Sequence, residues 1–183
     1  MSDDDTLLKL GLPKGHIKDE VFALLGESGI RVRESSRNYR PSISLSQAEA
    51  KLMKPQNVIG ALAGGSRDVG FAGADWVEEL DADLVELLDT GLDPVRLVAA
   101  APEKHVGEEG KFPDEPLVVA SEYEHLTQQW IDDRDLRAEY VRSFGATEAF
   151  PPEDADCIVD NSATGATLEA NDLDIEAVKR EAQ

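Results

Sequence analysis

One cysteine, Cys157, is all the chain carries. An internal disulfide is thereby excluded, and such sparse thiol usage fits a reducing cytoplasm. Cations are the second scarcity: Lys and Arg total 18 against 38 Asp and Glu, a formal net charge of −20. A field of that sign repels nucleic acid and anionic membrane, so neither is expected as a partner. It repels nucleotides as well, so any phosphate ligand has to be met by a local basic cluster. Long apolar runs are missing too. None approaches the ~20 residues of a membrane span, and the opening Met1-Ser2-Asp3-Asp4-Asp5 is the reverse of a basic signal-peptide start. No Gly-x-Gly-x-x-Gly follows the first apolar stretch, which argues against an oxidoreductase-type dinucleotide domain.

What is present is a globular composition, 41% hydrophobic over 183 residues, enough for one large domain or two small ones with a proper core. The acids are spread along the whole chain rather than gathered in a tail, which describes a solvated acidic surface. Solubility is the plainer account of it. Adaptation to high salt, where screening removes the self-repulsion, is the sharper one, and a halophilic protein is the expectation.

Leu7–Leu12 reads as a buried strand, interrupted only by Lys9, that runs into the turn Pro13-Lys14-Gly15-His16. Asp19–Gly29 follows with Val21, Phe22, Leu24 and Leu25 at helical spacing and Gly29 as its stop. Strand, basic turn and helix open an α/β unit, whose ligands sit at the carboxyl ends of strands, where Lys14 and His16 would lie. A solvated turn lysine is the plain alternative. Ile30–Arg33 reads as the next strand, and Ser35–Pro41 as a segment concentrating Arg37 and Arg40 around Tyr39. Arginine forks match phosphate oxygens, so this basic stretch is a candidate second phosphate contact or, more plainly, a charge-balanced surface loop.

Further along, Lys51–Met53 reads as a strand, Pro55–Ala63 as a helix stopped by Gly64-Gly65, and Asp68–Gly73 as a strand with small residues where a ligand or another backbone comes near. Ala74–Leu80 is a helix, Leu84–Leu88 a short apolar run, and Val95–Ala101 an apolar strand that leaves the first unit. After a polar loop over 103–116, Leu117–Ala120 and Glu139–Phe144 read as strands around a helix at Glu124–Ile131. The expected architecture is α/β: two small α/β domains, 1–95 and 96–173, with a cleft between them as the natural site, and 174–183 beginning a return segment.

Asp156–Leu173 has the strongest functional pattern. Cys157–Val159 is a short buried strand, Asp160 stands at its end, and Asn161-Ser162-Ala163-Thr164-Gly165-Ala166-Thr167 is a loop of small and hydroxylated residues. Backbone N–H groups in such a loop converge on an anion, Thr164 and Thr167 add hydroxyl donors, and Gly165 leaves room for close approach. Asp160 would repel a phosphate, so it suits the hydroxyls of an attached sugar or a metal on a second phosphate. An ordinary strand-to-helix turn with Ser/Thr capping is the other reading.

Several blocks occur together: Leu12-Pro13-Lys14-Gly15, Ser36–Pro41, Lys54–Val58, Asp68–Gly73, Glu86–Asp89, Arg96-Leu97-Val98, Gly145-Ala146-Thr147-Glu148 and Asp156–Leu173. In this order and spacing they resemble the ATP phosphoribosyltransferase family, the first enzyme of histidine biosynthesis. The resemblance implies a two-domain fold like that of periplasmic binding proteins. It also implies displacement at the anomeric carbon of phosphoribosyl diphosphate by N1 of ATP, with Mg²⁺ carried largely by the sugar diphosphate. Ser162, Ala163, Thr164, Gly165, Ala166 and Thr167 would hold the 5′-phosphate, and Asp160 and Glu148 the ribose hydroxyls. Lys14, Arg37 and Lys54 would face the diphosphate or the ATP phosphates. The family usually has Arg where His16 and Lys54 stand, and its chain continues beyond the position of Gln183 with elements that complete the first domain. The resemblance therefore implies a C-terminally shortened chain: a fragment, a diverged paralogue or a chain completed by a partner, with a homo-oligomer or such a partner expected. A non-catalytic bilobal module that senses a phosphoribosyl compound is the alternative function.

Overall fold

A computed structural model of the chain describes residues 7–35, 38–102, 105, 112, 114–162 and 173–177. It divides into two compact units, Met1–Leu92 and Asp93–Gln183, so the division falls ahead of the expected one at 95/96.

The first unit is built from β1 (Leu8–Pro13), α1 (Ile17–Glu27), β2 (Val32–Ser35), β3 (Asn38–Ile43), β4 (Ala48–Met53), α2 (Pro55–Ala63), β5 (Val69–Gly70) and α3 (Ala74–Glu79). Its sheet has the order β4-β1-β5, with β1 parallel to both neighbours. Leu10 and Leu12 from β1, Ala50 and Leu52 from β4, and Val21 and Leu25 from α1 share one buried cluster. Leu and Ala fill these strands because a parallel sheet is covered by its crossover helices. Helix α2 begins where its sequence dictates: Lys54 is extended at ψ 149°, as the residue before proline must be, and Pro55 supplies the first helical position.

The small residues Gly11 and Gly70 do admit a close neighbour, and that neighbour is Val58 of α2. A Cβ on Gly70 would lie 2.6 Å from Val58 Cγ1, and one on Gly11 would lie 3.0 Å from it. The strand expected over Asp68–Gly73 shrinks to Val69–Gly70. Conversely β3, expected as an irregular basic segment, pairs antiparallel with β2. Pro41 within β3 hid it, since proline is tolerated only at ladder positions where no N–H is required. The run Leu84–Leu88 has no regular structure, and Val85, Leu87 and Leu88 are 84%, 75% and 72% exposed.

The second unit comprises β6 (Arg96–Pro102), β7 (Leu117–Ser121), α4 (Glu124–Asp133), β8 (Ala138–Arg142), a 3₁₀ turn (Thr147–Ala149), β9 (Cys157–Ser162) and β10 (Leu173–Ala177). Its sheet runs β10-β6-β9-β7-β8. Strands β9, β7 and β8 are parallel, whereas β6 is antiparallel to both β9 and β10. Val98, Ala100, Ala120, Ile158 and Leu173 pack into one core cluster with Ala155. Asp156 staples the start of β9 to β7: Val118 N–H donates to Asp156 Oδ2 at 2.8 Å, and Asp156 N–H donates to the Val118 carbonyl at 2.9 Å. Strand β9 continues past Asp160 to Ser162 because β6 lines up Val98, Leu97 and Arg96 as its partners. Strand β10 has no counterpart in the sequence expectation, and it keeps 173–177 with the second sheet.

Candidate functional site

Among the described residues, Lys14, Lys54 and Asp160 stand at or near the carboxyl ends of parallel strands, where α/β sheets bind their ligands. In the first unit, Pro13 and Met53 are register partners, and Lys14 N–H donates to the Met53 carbonyl at 2.8 Å. Lys14 and Lys54 are thus the residues that follow β1 and β4 at one edge of the sheet. Lys14 is half-buried and its ammonium lies 3.4 Å from the centroid of the Tyr39 ring, within cation–π range. Lys54 is exposed. His16 stands at the N-cap of α1 and makes no side-chain capping bond. Arg37 lies outside the described residues.

Neighbouring cations of the same unit rest on carboxylates. Lys18 Nζ is 2.8 Å from Glu34 and 3.6 Å from Asp19. Glu34 raises the Lys18 pKa above the ordinary lysine value. Arg67 and Arg40 converge on Glu49 at 2.8 and 3.3 Å. The bond from Arg67 holds the Glu49 carboxyl below its usual value.

The second unit gathers acids. Asp160 sits near the end of β9, Glu148 in the 3₁₀ turn after β8, and Glu122 directly after β7. The pKa of Asp160 is raised from the ordinary 3.8 to about 6. Burial is the main cause, the Asn161 N–H that donates to Oδ1 at 2.8 Å opposes it, and the charges of Glu148 and Glu122 add to it. A carboxyl poised near neutrality can accept hydrogen bonds from hydroxyls and exchange a proton at working pH.

The surrounding frame is well satisfied. Asn161 donates from Nδ2 to the Tyr123 hydroxyl at 2.7 Å, and Tyr140 donates to the Ser121 carbonyl at 3.0 Å. Ser121 donates its own hydroxyl to the Val159 carbonyl, tying β7 to β9. The turn that presents Glu148 is closed by Ser143 and Thr147, whose buried hydroxyls are 2.8 Å apart. It contains two successive left-handed residues, Gly145 at φ +106° and Ala146 at φ +50°. Left-handed backbone at a residue with a Cβ is uncommon and concentrates at ligand-binding turns. A Cβ on Gly145 would lie 3.9 Å from Glu122 Oε1.

Ser162 ends β9 opposite Arg96, and Ala163, Thr164, Gly165, Ala166 and Thr167 lie outside the described residues. The two residues that sequence reading missed are Glu122 and Tyr39. Glu122 follows immediately on the apolar run Leu117–Ser121, which was signal enough. Tyr39 looked like the middle of an arginine-rich segment. Among the described residues, no group of three His, Cys, Asp or Glu side chains stands together as a metal-ligand set. No helix among them is long and apolar enough to cross a membrane.

The family model described as "HisG: ATP phosphoribosyltransferase" matches residues 54–180. The chain belongs to the ATP phosphoribosyltransferase family. The curated ATP phosphoribosyltransferase of Prosthecochloris aestuarii is 38% identical over 185 residues, covering 96% of this chain and 61% of that protein. That of Thermodesulfovibrio yellowstonii is 35% identical over 179 residues, covering 92% and 59%. This chain therefore spans about three fifths of the length of the curated relatives it matches. Among solved structures, the Thermotoga maritima ATP phosphoribosyl transferase (HisG:HisZ) complex aligns with a TM-score of 0.78 at 25% identity, over 92% of this chain and 81% of that one. An ancestral cationic amino acid solute binding protein aligns at 0.55 with 16% identity, which speaks to the fold alone and matches the expected likeness to periplasmic binding proteins. Lys54, Glu148, Asp160 and Ser162 fall inside the family match, while Lys14, His16 and Arg37 precede it.

Proposed function

We propose that the chain binds phosphoribosyl diphosphate at the carboxyl ends of β7 and β9 and serves transfer of its phosphoribosyl group to N1 of ATP, the opening step of histidine biosynthesis. The observation that carries this reading is the placement of Asp160 and Glu148. They are two carboxyls of one electrostatic group, Asp160 near a strand end shortly before the Thr164-Gly165-Ala166-Thr167 loop and Glu148 in a turn with left-handed backbone. Carboxyls suit ribose hydroxyls, and a small-residue loop with two threonines suits the 5′-phosphate.

The chemistry asks for no protein nucleophile. The N1 lone pair attacks the anomeric carbon, the bond from that carbon to the diphosphate oxygen breaks, and diphosphate leaves with the electron pair. Mg²⁺ carried by the sugar diphosphate would supply charge neutralisation to the leaving group. Lys14, Lys54 and Arg37 would supply fixed positive charge toward the leaving diphosphate or the ATP phosphates, which is where preorganised cations lower a barrier of this type. A further subunit, of this chain or of another, belongs to the same proposal, as do a cytoplasmic location and adaptation to high salt. The Thermotoga maritima relative, which is a HisG:HisZ complex, supports the subunit.

Calorimetric titration with phosphoribosyl diphosphate and Mg²⁺ in molar KCl tests the sugar site. Binding that survives in the native chain and falls at least tenfold in both Asp160→Asn and Glu148→Gln supports it, since each substitution removes a charge-assisted hydrogen bond. Equal affinity in all three proteins would move the sugar elsewhere.

A further inference from the structure

Lys14 is handled differently from the other cations described around it. Lys18 is held by Glu34 at 2.8 Å, and Arg40 and Arg67 are held by Glu49. Lys18 has a carboxylate of its own, and Arg40 and Arg67 share one. For Lys14, the contact recorded among the described residues is the face of Tyr39, 3.4 Å from ammonium to ring centroid. A ring face attracts a cation through its quadrupole and holds it in place without cancelling its charge. The distinction matters in a chain of net charge −20, where acids far outnumber cations.

The geometry makes the contact selective for this lysine. The Lys14 backbone is pinned to Met53 at the end of β1, so its stem starts from a fixed point, and β3 carries Tyr39 to that stem. Tyr39 is itself 62% exposed, so burial of the ring in a core does not explain its position. A lysine has four rotatable bonds, and ordering them on a ligand costs affinity unless they are ordered beforehand.

We infer that Tyr39 is a positioning residue that parks the Lys14 ammonium at the carboxyl end of β1 for the polyphosphate of the nucleotide substrate. This rests on the reading that Lys14 meets a polyphosphate, and the test separates the two. The probe is inorganic triphosphate titrated calorimetrically into the native chain, Lys14→Ala, Tyr39→Leu and Tyr39→Phe. Alongside it, the ring-current displacement of the Lys14 ε-methylene proton resonance is read by NMR. Lys14→Ala should weaken triphosphate binding. Tyr39→Leu should abolish the ring-current displacement and weaken binding about two- to fivefold, the range expected from an exposed cation–π contact. Tyr39→Phe, which keeps the ring, should preserve both. If Lys14→Ala weakens binding while Tyr39→Leu leaves it unchanged, the positioning role is overturned and the role of Lys14 stands. If Lys14→Ala itself changes nothing, the polyphosphate reading fails and takes the inference with it.

Discussion

The first unit follows its parallel strands β1 and β4 with Lys14 and Lys54, and the second sets Glu122, Glu148 and Asp160 at or after the carboxyl ends of its own. The overall charge is unevenly divided in the same sense. Residues 1–92 carry ten cations against sixteen acids, a net of −6, and residues 93–183 carry eight against twenty-two, a net of −14. One α/β rule places both sets, yet opposite chemistry occupies the two ends. In the first unit Lys18, Arg40 and Arg67 are held by carboxylates, so a lysine kept on a neutral ring stands out beside them. In the second unit acids are abundant, and what sets Asp160 apart is burial that lifts it to about pKa 6. A functional group is marked in each case by how it departs from the electrostatics around it.

The largest effect should come from the first unit's weak cations. By the resemblance to the family, His16 and Lys54 take positions expected to hold arginine, and neither would offer the bidentate fork that fixes a phosphate. The native chain should therefore bind phosphoribosyl diphosphate yet form phosphoribosyl-ATP slowly. A misplacement of ~1 Å at the reacting centre is worth about a hundredfold in rate. Absorbance assays with Mg²⁺ in high salt, with His16→Arg and Lys54→Arg compared, measure this. Robust turnover by the native chain would show that the imidazole and ammonium suffice.

Asp160→Asn should break the second unit's side of the comparison in two opposite directions. The folded-state pKa is raised, so the ionised carboxyl is disfavoured by folding. That penalty is absent below about pH 4, grows between the ordinary 3.8 and about 6, and is complete above it. Asparagine removes it. Near pH 7 the variant should be more stable, by on the order of 2–3 kcal/mol at ~1.4 kcal/mol per pH unit, and at pH 4 it should match the native chain. Affinity for the sugar diphosphate should fall in the same variant. Thermal midpoints across pH, set beside calorimetry, would show it. A variant that loses stability at pH 7 would mean the carboxylate is supported by partners in the fold rather than strained.

A substitution away from either edge gives a control of intermediate size. Gly70→Ala pushes a Cβ to 2.6 Å from Val58 Cγ1 and 3.2 Å from the Gly11 carbonyl, so α2 must shift. Overpacking of this kind costs ~1–3 kcal/mol. Chemical denaturation should register that loss, while affinity for the sugar diphosphate stays unchanged.

These variants also mark how far the sequence could be read. Helix α2 was legible to the residue, because Pro55 and Gly64-Gly65 are local signals that tertiary context does not override. That Asp160 stands near a strand end was legible from the apolar run Cys157–Val159, whereas Glu148 was named only through the family resemblance. Strand β3 was not, because its ladder depends on pairing with β2 and its sequence has no apolar alternation. Nor was β10, whose existence depends on β6 offering an edge. The small residues of Asp68–Gly73 announced a close approach without saying to what, and only packing identifies Val58 as the neighbour of Gly70. The raised pKa of Asp160 is a property of three elements meeting, which no single stretch of sequence contains.

The smallest expected effect is the one the charge distribution makes asymmetric. Screening shortens the Debye length to ~3 Å at 1 M salt, which suppresses repulsion between surface acids but leaves buried contacts largely intact. The thermal midpoint should therefore climb steadily from dilute buffer to molar KCl. The climb should not be shared equally, since the net charge of −14 belongs to residues 93–183. In the first unit, salt also weakens the exposed pairs Lys18–Glu34 and Arg40–Glu49, each worth little to begin with. Amide exchange followed in low and high KCl can resolve the two. Protection in β7, β9 and α4 should rise more than protection in β1, β4 and α2. A midpoint that stays flat, or exchange that slows equally in both units, would detach the acidic surface from salt adaptation and leave solubility as its explanation.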